Sequence, residues 1–136
     1  MKTKVAFLIA GFSLFVVATF AHHAFNAEYD ASKLTRWAGT VTKVEWTNPH
    51  ARFYVEVKDE SGTVTSWNFE LGSTVQLRRQ GWTRDSLKAG DQITVEGYPA
   101  KDGAKLASAK KIILADGHSV FGETPADPQL ADPNHQ

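Results

Sequence analysis

Ala51-Arg52-Phe53-Tyr54-Val55-Glu56-Val57-Lys58, then Asp59-Glu60-Ser61-Gly62, then Thr65-Ser66-Trp67-Asn68-Phe69-Glu70-Leu71 is the stretch on which the fold turns. Ala51, Phe53, Val55 and Val57 alternate with Arg52, Tyr54, Glu56 and Lys58, the period of two that gives a strand one core face and one outer face. Thr65, Trp67, Phe69 and Leu71 alternate in the same way with Ser66, Asn68 and Glu70. With a turn-forming run between them, the two segments are a β-hairpin. Trp67 is expected in the core beside Phe69 and Leu71. Glu56 and Glu70 fall on the outward face, where carboxylates are expected for solubility alone.

Upstream of the hairpin, Leu34 to Trp46 is rich in Thr, Val and Trp, with Gly39 inside it and a slip in alternation between Val41 and Val44, which predicts a long, bent strand with a bulge. Downstream, Gly72-Ser73-Thr74 offers a hydroxyl N-cap to a short helix through Val75, Leu77 and Arg78, ended by Gly81. Thr83 and Asp85 are candidate caps for one further turn ending near Leu87. Ile93 to Tyr98 is a fourth strand and Lys105 to Leu114 a fifth, with a short extra strand expected over His118 to Phe121. The order β-β-β-α-β-β predicts a mainly β chain, an OB-fold-like five-stranded barrel with a short helix between strands 3 and 4. A five-stranded sandwich with a surface helix is the alternative. The domain is expected over 34–122, an arm over 22–33 that docks through Phe25 and Tyr29, and a Pro-containing disordered tail over 123–136.

The N-terminus has signal-peptide order: a basic start with Lys2 and Lys4, then an uncharged apolar run from Val5 to Phe20. That run of 16 residues is shorter than the roughly 20 that span a membrane. Cleavage after Ala21 is expected, with Ala18 as the alternative, leaving a periplasmic or secreted protein with no stable membrane anchor. Loss of Lys2 and Lys4 leaves 13 basic residues against 15 acidic, a formal charge of −2. On that balance nucleic acid is not expected as a partner. The absence of cysteine excludes disulfides, thiolate metal sites and thiol redox chemistry.

The five histidines, at 22, 23, 50, 118 and 135, show no zinc-finger or zincin spacing. No nucleophile elbow, phosphate loop or dinucleotide fingerprint appears, so no catalytic residue is assigned and an enzyme is not expected. Cleavage after Ala21 would make His22 the new terminus with His23 beside it. A terminal amine and the imidazole of the same residue chelate one metal ion, and further imidazoles complete the nitrogen-rich site Cu(II) prefers. His50, in the connection Trp46-Thr47-Asn48-Pro49-His50, is the natural added donor, and Pro49 stiffens that loop. The competing reading leaves His22 and His23 in an unattached terminus and has His50 bond only to its own loop. Trp46, Asn48 and Pro49 are candidate contacts for a ligand or partner. Trp82 is expected to cover an open end of the barrel. Arg78, Arg79 and Arg84 form a basic patch.

The segments Gly39 to Ala51, Phe69 to Ser73 and Arg78 to Asp91, with His22-His23-Ala24-Phe25 just after a signal peptide, resemble a family of small exported bacterial proteins catalogued as a domain of unknown function. Many relatives are expected to carry serine where this chain has Ala24. The resemblance implies a compartment and a chain plan and carries over no activity or site residues. The sequence therefore leads to an exported binding module, with Cu(II) as its candidate cofactor and a protein or small molecule as its partner. The alternatives are a metal-free interaction module acting through the 46–50 loop and the 78–84 patch and, behind it, a copper-dependent oxidase.

Overall fold

A computed structural model of the chain describes residues 24–122. The signal segment, His22, His23 and the tail over 123–136 lie outside the described residues. A short helix, α1, covers 24–28. Then follow β1 (Thr35–Glu45), β2 (Arg52–Lys58), β3 (Val64–Glu70), α2 (Thr74–Arg79), β4 (Gln92–Pro99), β5 (Leu106–Leu114) and β6 (Ser119–Phe121).

The β2–β3 hairpin has the register its alternation demands, with Phe53 opposite Phe69 and Val55 opposite Trp67. Its turn is held by Asp59, whose Oδ1 accepts from the Ser61 and Thr63 amides at 2.9 Å and from the Ser61 hydroxyl at 2.6 Å. β1 pairs with both β2 and β4, and β4 with β5, all antiparallel. A parallel pairing of β3 with β5 closes the ring. Five strands in this connectivity form the OB-type barrel, with β6 added antiparallel to the outer part of β5.

To serve two neighbours, β1 must bend, and its register with β2 slips between Val41 and Lys43. Gly39 lies where β2 crosses closely. A Cβ there would stand 2.1 Å from the Glu56 carbonyl oxygen, so no side chain fits. A second slip, between Glu96 and Gly97 on β4, has the same steric signature, since a Cβ on Gly97 would meet the Ser108 carbonyl oxygen at 2.2 Å. Tyr98, which alternation puts on the face opposite Ile93 and Val95, packs outside the barrel.

The barrel interior is filled by Val41, Phe53, Val55, Phe69, Leu71, Val95 and Ile112, all at or near zero exposure. Phe53 stacks on Phe69 with centroids 5.2 Å apart, and Trp37 meets Phe69 edge-on at the same distance. Trp67 corrects the expectation of a core residue: it is half-buried, packed on Trp37 at 4.9 Å, with the Lys105 ammonium 5.1 Å above its ring. Alternation gives the face that Trp67 takes and not how completely that face is covered.

The helix α2 is capped as its sequence suggests. Ser73 and Gln76 form a reciprocal capping box, and Gly81 has φ +91°. Leu77, Trp82 and Leu87 bury themselves against the barrel, and the Trp82 indole donates to the Phe121 carbonyl at 3.0 Å. The further turn over 83–87 is not helical. Ser86 instead accepts the Thr83 amide at 2.8 Å, which closes a tight turn in place of a helix start.

Candidate functional site

The arm comes first, because it decides what happens to the outer face of the barrel. Phe25 and Tyr29 are four residues apart, so the helical turn of α1 puts them on one side, with ring centroids 5.3 Å apart. They pack on outward-facing Tyr98 and Leu106 to form a second, smaller apolar cluster outside the barrel. Phe25 meets Tyr98 edge-on at 5.9 Å. Backbone bonds fasten the arm's exit: Asp30 donates to Pro99 and Lys101 to Glu28, both at 2.9 Å. The Lys101 ammonium reaches the Asn26 carbonyl.

Under this strap lies Glu70. Alternation places it on the outer face correctly, but solvation is not its purpose: the residue is only 7 % exposed. Its Oε1 is 2.5 Å from His50 Nδ1. Its Oε2 accepts from Arg52 Nη2 at 2.7 Å and from the Tyr29 hydroxyl at 2.9 Å. A buried carboxylate is tolerated because three donors satisfy it. Burial, and then the Glu70 charge beside it, push the Tyr29 phenol well above its ordinary range.

His50 stands where the β1–β2 connection meets β2, and its side chain is 30 % exposed. The expectation that it bonds merely to its own loop is corrected by the Glu70 contact. An ionised carboxylate only accepts, so the shared hydrogen sits on Nδ1, and the ring in its neutral form presents a free lone pair at Nε2. No described residue bonds to that nitrogen. Metal-binding imidazoles are oriented in this way by a carboxylate behind them.

The rest of the loop is anchored from the other side. Asn48 Oδ1 accepts from the Thr74 amide at 3.1 Å and its hydroxyl at 3.0 Å, which ties the loop to the start of α2. The Asn48–Pro49 peptide is cis. Thr47, Asn48 and Pro49 are exposed. Trp46 is half-buried against the core, and its Nε1 is buried without a hydrogen-bond partner.

The structure thus unites His50 with Glu70, Arg52 and Tyr29, of which the sequence reading singled out only His50 as a ligand. The signal for the others is the Phe25–Tyr29 spacing, which makes the arm a cover and requires something to be covered. Among the described residues no group of three or more His, Cys, Asp or Glu could hold a metal ion. His118 lies at the turn before β6, where its backbone amide donates to Asp116 at 2.8 Å. Arg78, Arg79 and Arg84 are exposed and, among the described residues, take part in no ion pair.

A family model described as a family of unknown function (DUF6152) matches residues 12–109. The chain belongs to that family. The match takes in the arm, the 46–50 loop and the Glu70 cluster, so the candidate site lies within the family's own span. No curated protein matches the chain. Among solved structures, the mitochondrial single-stranded DNA binding protein Rim1 of S. cerevisiae is similar to it over 61 % of this chain and 93 % of that one, at 13 % identity and a TM-score of 0.48. The exclusion of nucleic acid drawn from charge is withdrawn. Net charge averages over the whole surface and does not by itself strike out a class of partner.

Proposed function

We propose that this chain is an exported, non-enzymatic binding module that takes Cu(II) at the His50 corner. His50 Nε2 is the barrel's donor, and the amine and imidazole of His22, with His23, supply the other nitrogens once the chain is cleaved after Ala21. The observation that carries this reading is the contact of His50 Nδ1 with buried Glu70 at 2.5 Å. It fixes the ring and leaves Nε2 as an acceptor, at a low ordering cost for any ligand. One imidazole is not a metal site, so the reading depends on the two N-terminal histidines.

The test is calorimetry and electron paramagnetic resonance on protein recovered from the periplasm of an expressing bacterium. One Cu(II) should bind through nitrogen donors more tightly than Zn(II). Affinity should weaken as pH falls through the imidazole range near about 6.5, because every donor must be deprotonated. One extra residue ahead of His22 should weaken binding sharply, and His50→Ala should weaken it less. Undiminished binding by the extended protein contradicts the reading.

A metal-free interaction module is the second reading, and the Asn48–Thr74 bonds favour it. They join the exposed loop to the helix carrying Arg78 and Arg79, which makes one surface of the two regions. Copper binding that is lost on Asn48→Ala together with all partner capture would leave the two readings joined. Partner capture that survives without metal and needs Arg78 and Arg79 would select the second.

A further inference from the structure

We propose that Glu70 couples the arm to the ligand position, so that docking of residues 24–30 on the barrel and ligand binding at His50 are one linked equilibrium. The proposal rests on the copper reading for its ligand but not for its mechanism. Tyr29 and His50 meet through Glu70. Each bonds to a different oxygen of the same carboxylate, Tyr29 to Oε2 at 2.9 Å and His50 to Oε1 at 2.5 Å. Arg52 adds a third donor on Oε2 at 2.7 Å.

Both oxygens are therefore committed, and the carboxylate's orientation is set by the arm and by Arg52 before any ligand arrives. Releasing Tyr29 uncovers Glu70, restores water to it and loosens the hold on the imidazole. Fixing the imidazole on a ligand holds the carboxylate still and favours the docked arm. Glu70 is thus a positioning residue that acts through His50. An amide cannot replace it, because a glutamine has one acceptor oxygen and the site presents donors on both sides. The Phe25–Tyr98 packing supplies the arm's docking energy, and Tyr29 supplies its message.

Three readouts test this on the wild-type protein, Tyr29→Phe and Glu70→Gln: Cu(II) affinity, the ¹⁵N shifts of the His50 ring, and hydrogen exchange at the Asp30 and Lys101 amides, which bond across the arm's exit. Glu70→Gln should weaken Cu(II) binding on the order of 10-fold, as loss of a supporting carboxylate does. Tyr29→Phe should weaken it by roughly 2- to 10-fold, the worth of one hydrogen bond, although it removes no ligand. Coupling is reciprocal, so Cu(II) should slow exchange at Asp30 and Lys101 in the wild type by the factor that docking adds to affinity. Copper affinity unchanged in Tyr29→Phe, or exchange unchanged by bound copper, overturns the coupling. If the wild-type protein takes no copper, the functional reading fails and the metal-free protein decides the coupling alone. Tyr29→Phe must then shift the His50 ring nitrogens and His50→Ala must speed exchange at Asp30. Neither change occurring overturns it.

Discussion

Phe69 and Glu70 are consecutive residues of β3, both buried, facing opposite sides of one sheet. Phe69 points into a barrel whose other occupants are apolar, and its neighbours Phe53 and Trp37 fit it by shape. Glu70 points outward beneath the arm, and its neighbours fit it by hydrogen-bond chemistry. The inner region holds the molecule together through area removed from water. The outer region adds little net stability, because burying a charge consumes most of what its partners return. A polar cluster kept under cover at that cost is the part of this molecule suited to binding.

Phe69→Ala should therefore cost most, about 3–5 kcal/mol in a denaturant melt, by the cavity it leaves between Phe53 and Trp37. Glu70→Leu should cost about 1–3 kcal/mol, since Arg52 and His50 are each roughly a third exposed and water can take over part of their bonding. A Glu70→Leu loss equal to that of Phe69→Ala would erase the distinction between the two faces.

Tyr29→Phe should cost about 1 kcal/mol near neutral pH and change the alkaline limb. The folded protein holds the Tyr29 phenol above its ordinary value of 10.0, so the folded state keeps a proton the unfolded chain gives up. Its contribution is complete below pH 10 and is lost as pH rises beyond that. Melts at pH 9 and 11 should thus fall more steeply for the wild type than for Tyr29→Phe. Asp59→Ala should have the smallest effect. Its carboxyl, held below the usual range chiefly by the Ser61 hydroxyl, stabilises the hairpin turn at neutral pH. That contribution fades only as acid protonates it, so the substitution should flatten the acid limb of the stability profile.

The inner face was legible because alternation reports it directly: Phe53, Val55 and Phe69 could be placed in the core from spacing alone. So could the bend at Gly39, the Ser73 cap and the strand order. Glu70 was legible as outward but not as buried, because periodicity tells which face a residue takes and not what later covers that face. Its cover, Tyr29, lies 41 residues away. Trp67 failed in the opposite sense, being on the core's face but only half-buried.

The central claim is that His50 is a ligand held in place by Glu70, and pulsed electron paramagnetic resonance on the Cu(II)-loaded protein tests it most directly. With ¹⁵N-labelled histidine, the spectrum should show coupling to more than one imidazole, and His50→Ala should remove one of these couplings while copper stays bound through the terminal residues. A spectrum identical in the two proteins would mean that copper never reaches the barrel, and the account would be wrong.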